Sequence, residues 1–170
     1  MDNFRNIPNV KVIYAIEAVL DVGRAAFKQR GLSMNGCLYP LTDLDKILAD
    51  RQLHAVIICT PTSTHLELAQ KCVKAGKAVL LEKPVATNMK DVVELYDYVE
   101  KNKGILLTAF QRNFDHQTEV LRAKAATMGP ISYMRLCARD SVGSAPPSIE
   151  YLTASGGFFV DSASMILNFK

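Results

Sequence analysis

Two polar clusters in this chain carry side chains able to hold a ligand: Cys59-Thr60-Pro61-Thr62-Ser63-Thr64-His65 and, one helix and one strand later, Glu82-Lys83-Pro84. Each follows a short apolar run, Ala55-Val56-Ile57-Ile58 in the first case and Ala78-Val79-Leu80-Leu81 in the second. Continuous apolar runs bounded by turn residues suit strands of a sheet covered on both faces. The clusters therefore stand at the C-terminal ends of strands, the edge at which open α/β sheets bind ligands. The four cysteines, Cys37, Cys59, Cys72 and Cys137, form no Cys-x-x-Cys pair. Two of them fall in apolar elements, so buried reduced thiols are the expected account, and neither a metal centre nor a disulfide framework is the expected organising chemistry.

Other elements position these clusters. Val10 to Ile16 reads as a strand with Glu17 at its tip. Asp21 to Arg30 reads as a helix capped by Gly31, and Leu38-Tyr39 as a short strand. Thr42 is placed to cap a small helix through Leu48. Thr64-x-x-Glu67 has the spacing of a capping box, and the helix it opens keeps Leu66, Ala69 and Val73 on one face until Gly76. Asn88 to Glu100 is helical, with Val92, Leu95, Tyr96 and Val99 inward and Gly104 as its stop, and Ile105 to Phe110 is the next core strand. The alternation predicts an α/β fold, a doubly wound parallel sheet with right-handed crossovers. After a helix from Gln117 to Met128, Ile131 to Asp140 alternates as a half-buried strand, and Ser141 to Ser148 is a loop. Residues 1–130 are thus expected to form one domain and 131–170 the start of a second, α+β domain.

At 170 residues, 49% hydrophobic and 22% charged, the chain can bury a real core. A net charge of +3 with both signs interspersed makes no basic stripe, so nucleic acid is not an expected partner. No apolar run approaches membrane-spanning length and the N-terminus has no apolar signal region, so the expected setting is soluble and cytoplasmic.

The loop Cys59 to His65 followed by Glu82-Lys83-Pro84 resembles the Gfo/Idh/MocA family of sugar and polyol oxidoreductases, in particular its inositol 2-dehydrogenase group. Ala109-Phe110-Gln111-Arg112-Asn113-Phe114-Asp115 is similar to the family's turn after the sixth strand. Ile149-Glu150-Tyr151 with Ser155-Gly156-Gly157-Phe158-Phe159-Val160-Asp161 is similar to the segment leading into its substrate domain. Four motifs in order cover Val10 to Asp161. The resemblance implies a Rossmann-type domain, a nicotinamide cofactor and hydride transfer between a secondary alcohol of a sugar or polyol and that cofactor. It implies that Lys83 contacts the reacting hydroxyl and that Asp161 orients the substrate.

The same resemblance exposes departures. The family's base four residues after the aspartate is a histidine, and this chain has Met165, which carries no titratable proton. No Gly-x-Gly-x-x-Gly turn to hold a pyrophosphate precedes Val10. Truncation at both ends is therefore expected, with the first strand of the order 3-2-1-4-5-6 missing. The strands ending at Glu17 and at Thr60 must then pair directly or leave open edges.

Glu17 suits the adenosine ribose hydroxyls and would repel a 2′-phosphate, which favours NAD over NADP, against the plain alternative of an exposed acid at a strand end. Cys59, Thr60, Pro61 and Thr62 line the expected dinucleotide crevice. His65 is either a pocket contact or a solvated surface residue. Glu82 braces its turn, and Lys83 is an active-site lysine against the plain alternative of a surface lysine. The Lys83–Pro84 bond is a candidate for the cis form. Arg112 either holds a substrate or cofactor oxygen or pairs with Asp115, and Asp161 is either a site carboxylate or a first-turn acid favoured by a helix dipole. The expected function is an NAD-dependent sugar or polyol dehydrogenase, impaired by its departures. The alternative is an inactive remnant that associates, with itself or a relative, through exposed strand edges.

Overall fold

The computed structural model describes residues 7–32, 36–130, 132, 133, 135, 137, 147–157 and 160. They divide into two compact units, residues 1–54 and 55–170. In the first, β1 (Ala15–Glu17) pairs in parallel with β2 (Leu38–Pro40), Ala15 opposite Leu38 and Glu17 opposite Pro40. The connecting helix α1 (Leu20–Gln29) packs on both strands. Its approach is close: a Cβ on Gly23 would stand 3.0 Å from Leu38 Cδ1 and 3.3 Å from Glu17 Cβ. Gly31 takes φ +62° beyond the helix end, and the next N–H, of Leu32, donates to Phe27 O at 2.9 Å, the capping that the sequence indicates.

The strand expected from Val10 shrinks to three residues because its partner is that short. Pro40 has no N–H to extend the ladder, and the chain turns at once into a 3₁₀ segment, Leu41–Asp43. Thr42 lies inside that segment and does not cap α2 (Leu44–Leu48), which has no side-chain cap at all. Phe27, Leu44, Ile47 and Leu48 form the unit's core, and the Tyr14 hydroxyl donates to Asp50 Oδ2 at 2.6 Å.

In the second unit β3 (Ala55–Ile58), β4 (Ala78–Leu81) and β5 (Leu106–Thr108) form a parallel sheet in that order. Helix α3 (His65–Lys74) joins β3 to β4 and packs on both, and α4 (Met89–Lys101), joining β4 to β5, packs along α3. Asn88 caps α4 by accepting from Asp91 N at 2.9 Å. Connections of one hand, stepping one way across the sheet, place both helices on the same side. Burial therefore alternates: Val79, Leu81, Ile58 and Thr108 are buried, closed over by Ala69, Cys72 and Val73 of α3 and Leu95 and Val99 of α4.

On the opposite face Ile57 is 42% exposed and Leu107 51% exposed. This corrects the expectation, drawn from the unbroken apolar runs, of strands covered on both faces. It also limits the inward stripe of α4, where Leu95 and Val99 are buried while Tyr96 is exposed and bonds Thr108 Oγ1 at 2.8 Å. The strands ending at Glu17 and Thr60 do not pair directly. They belong to separate sheets, and among the described residues the outer edge of β3 has no strand partner.

Helix α5 (His116–Thr127) is capped by Asp115 and α6 (Ile149–Ala154) by Ser148. Most of the strand expected over Ile131 to Asp140 lies outside the described residues, as do Asp161 and Met165. No described helix is long and apolar enough to cross a membrane.

Burial pushes the Cys72 thiol from its ordinary 9.0 up to about 11. The unfolded chain therefore releases this proton first as pH rises, so the contribution is complete below about pH 9 and is lost toward pH 11. Two pH units correspond to about 2–3 kcal/mol. Denaturant unfolding of the wild type and of Cys72→Ala is expected to show a steeper alkaline decline in the wild type by about that amount; parallel curves would contradict it.

Candidate functional site

Three consecutive strands of the second unit end side by side, and each hands the chain to a polar turn. After β3 come Cys59, Thr60 and a 3₁₀ segment, Thr62–Thr64. After β4 come Glu82, Lys83 and Pro84, and after β5 come Phe110 and a 3₁₀ segment, Gln111–Phe114, that carries Arg112. Main-chain bonds continue the ladder into these turns: Glu82 N donates to Ile58 O at 3.0 Å and Ala109 N to Leu81 O at 2.8 Å. The turns are thus fixed to the sheet.

In the first turn the Thr64 hydroxyl donates to Pro61 O at 2.8 Å and lies 2.7 Å from Thr60 Oγ1. Thr64 is the residue before α3, yet it makes no side-chain cap. The capping box expected from Thr64-x-x-Glu67 does not form, because the hydroxyl is used within the turn and Glu67 pairs with Lys71 at 2.9 Å. His65 is 1% exposed. Its Nδ1 lies 2.9 Å from Pro84 O and its Nε2 2.9 Å from Thr60 O. It is not a solvated residue but a buried tie between the first two turns.

The Lys83–Pro84 bond is cis. Glu82 braces the turn, its Oε2 accepting from Lys83 N at 3.1 Å. Lys83 itself is half-buried at the strand end. Of the four cysteines expected to be buried, only Cys72 is; Cys37 is half-buried and Cys59 and Cys137 are exposed. What desolvation Cys59 has, and then the Glu82 carboxylate, push its thiol above its ordinary value, so it remains a protonated thiol at neutral pH rather than a nucleophile. Arg112 is exposed and does not pair with Asp115, whose carboxylate accepts from the Thr118 N–H and hydroxyl at 3.3 Å each. Beside Pro84 an open apolar groove of about 450 Å³ is lined by Val85, Met89, Val92, Tyr96 and Phe110 among others.

The structure thus brings Cys59, Thr60, Pro61, Thr62, His65, Glu82 and Lys83 to one sheet edge, with Arg112 at the end of the neighbouring strand. Glu17 ends β1 in the other unit, where its Oε1 accepts from Val19 N at 3.3 Å. No cluster of His, Cys, Asp or Glu fit to hold a metal occurs among the described residues. The tie through Pro84 O was not legible in the sequence. The one available signal was a histidine that follows Thr60 closely enough to reach back over its own turn.

The sequence profile of the Gfo/Idh/MocA oxidoreductases, described as an oxidoreductase family with an NAD-binding Rossmann fold, matches residues 3–110. The chain belongs to the Gfo/Idh/MocA family. Among curated relatives it is 33% identical over 152 residues to the myo-inositol 2-dehydrogenase of Thermotoga maritima, which covers 88% of this chain and 43% of that protein. It is 35% identical over 118 residues to the inositol 2-dehydrogenase of Rhizobium meliloti, covering 69% of this chain and 36% of the relative. Among solved structures, a probable dehydrogenase from Thermotoga maritima superposes with a TM-score of 0.75 at 26% identity, over 97% of this chain and 48% of the other. This Gfo/Idh/MocA chain therefore has a Rossmann-like fold and spans less than half the length of these relatives.

Proposed function

We propose that this chain supplies the nucleotide-binding side of an NAD-dependent oxidoreductase that acts on a CH–OH group of a sugar or polyol, with inositols as the leading class. The observation that carries the reading is the convergence of the Thr60, Lys83 and Arg112 turns on one edge of a parallel sheet, where such folds bind dinucleotides. The names of the relatives support the substrate class.

By type, the hydroxyls of Thr60 and Thr62, the ammonium of Lys83 and the carboxylate of Glu17 suit such a cofactor, while the given sequence has no Gly-x-Gly-x-x-Gly turn to hold its pyrophosphate. In this reading Cys59 to Thr62 line the crevice, and Glu17 accepts from ribose hydroxyls and repels a 2′-phosphate, so NAD is preferred to NADP. A nicotinamide, when bound, gives or takes the hydride. Lys83 holds the reacting hydroxyl at a fixed place through its braced main chain, Arg112 meets a ligand oxygen, and Asp161 orients the substrate. Met165 cannot take the hydroxyl proton, so proton removal is the weak step. The setting proposed is the cytoplasm.

A second reading, an inactive chain that associates through the β3 edge, is favoured by the exposed Ile57 and Leu107 on the uncovered sheet face. One titration separates the two. Calorimetry of NADH added to the chain is expected to give a micromolar dissociation constant. Absence of heat at millimolar NADH removes the first reading and leaves the second.

A further inference from the structure

We infer that Arg122 is a positioning residue: from the middle of α5 it clasps Asn113 and so fixes the turn that presents the neighbouring Arg112 to a ligand oxygen. Its bearing on ligand binding rests on the function proposed above, whereas the clasp itself stands on geometry. After Ala109 the main chain of this turn bonds locally, Phe110 N to Thr108 O at 2.8 Å, Asn113 N to Phe110 O at 2.9 Å and Asp115 N to Arg112 O at a long 3.4 Å. One 3₁₀ turn of four residues, Gln111–Phe114, holds its shape poorly by itself.

Helix α5 supplies a second hold. Thr118 and Arg122 stand one helical turn apart on the same face, and Thr118 is buried, so that face is turned inward. Helical side chains lean toward the N-terminus of their helix, which sends Arg122 back toward the turn. From the start of α5 to Arg122 is about 9 Å of helix axis, a span that a long side chain covers and a short one does not. Arg122 Nη2 donates to Asn113 Oδ1 at 2.8 Å across nine positions of the chain. The Nε of the same guanidinium is buried and has no partner among the described residues. A loose surface arginine would turn that N–H to water, because an unpaired buried donor is costly. Its burial marks a guanidinium seated in the fold, where its bond to Asn113 is weakened little by solvent. A guanidinium only donates, so the Asn113 amide must give it the oxygen, and the turn is held in one orientation. Arg112, next to Asn113, is exposed, and no described residue bonds its guanidinium. The two arginines thus divide the work: Arg122 is committed inward, and Arg112 is a free arm on a fixed base.

Two measurements test the clasp and its purpose. In amide hydrogen exchange, Arg122→Met, which keeps a stem and removes the donors, is expected to lower the protection of the Asn113 N–H about tenfold, the effect of one lost hydrogen bond from a charged group, while the amides of α4 keep theirs. Asn113→Ala removes the acceptor instead and is expected to do the same at position 113, so the result does not hang on one variant. Unchanged protection in a folded variant, or equal loss in α4, would overturn the proposal. Calorimetry then reads the site: Arg122→Met is expected to weaken binding about fivefold with Arg112 present and less than about twofold in an Arg112→Ala background, because the two act as a unit. The titrant that loses affinity identifies the acceptor, NADH for a cofactor oxygen, or myo-inositol added to the NADH complex for a substrate oxygen. Equal losses with and without Arg112, or no loss for either titrant, would show that Arg122 supports the fold and not ligand binding. If the wild type binds no NADH, the proposed function fails, and hydrogen exchange still decides whether Arg122 holds the Arg112 turn.

Discussion

Leu81→Ala is expected to destabilise the second unit by about 2–5 kcal/mol, the range for emptying a fully enclosed leucine site. Leu81 is 0% exposed and ends the central strand, with Ile58 opposite on one side and Thr108 on the other. Both neighbours are anchored in paired strands, so the wall around the lost methyl groups cannot collapse, and a cavity term adds to the transfer term. Leu107→Ala is the internal control. It removes the same side chain from the adjacent strand, but from the face where the residue is 51% exposed, and surface changes of that kind stay within about 0.5 kcal/mol. Urea unfolding of both variants measures the contrast. Losses of similar size would mean that the face carrying Ile57 and Leu107 is covered in solution.

Gly104→Ala carries the second large effect, through overpacking. The residue leads from α4 into β5, and a Cβ there would lie 2.7 Å from Val73 Cγ1 and 3.5 Å from Val99 Cγ1. The left-handed turn at this point is made by Lys103, with φ +51°, so the glycine is required for space and not for its backbone angle. Val73 is buried in α3, and an added methyl must displace a helix already seated on the sheet. The expected loss is about 1–3 kcal/mol. Val73→Ala removes the obstructing methyl groups, so the double variant should be more stable than the sum of the two single losses by at least about 0.5 kcal/mol. Simple additivity would show that the two sites do not meet.

How much of this was legible beforehand differs by feature. Helix α4 was marked by Asn88 and by the spacing of Leu95 and Val99, and it forms within one residue of the expected span. Those signals are local: a cap and a periodic face act within a turn or two. Lys83 and Glu82 were placed correctly at a strand end because Ala78 to Leu81 is apolar and Pro84 interrupts it. Thr64 and Thr42 show where local patterns fail. Both are good capping residues, yet the Thr64 hydroxyl finds Thr60 and Pro61 nearer, and Thr42 is drawn into a 3₁₀ turn ahead of its helix. A pattern lists what a side chain can bond; the surrounding turn selects among the offers.

The sequence by itself determined the order of strands and helices, the parallel sheet they imply and the polar turns at its edge, because periodicity, apolar runs and caps depend on neighbours along the chain. Only the tertiary structure decided which face of the sheet is buried, since Leu80 and Leu81 or Leu106 and Leu107 are chemically alike and differ only in the side of the sheet on which the crossing helices lie. The same holds for His65. Its role depends on Pro84 O, a main-chain acceptor that has no side-chain identity in the sequence and reaches the ring only when β3 and β4 stand in register.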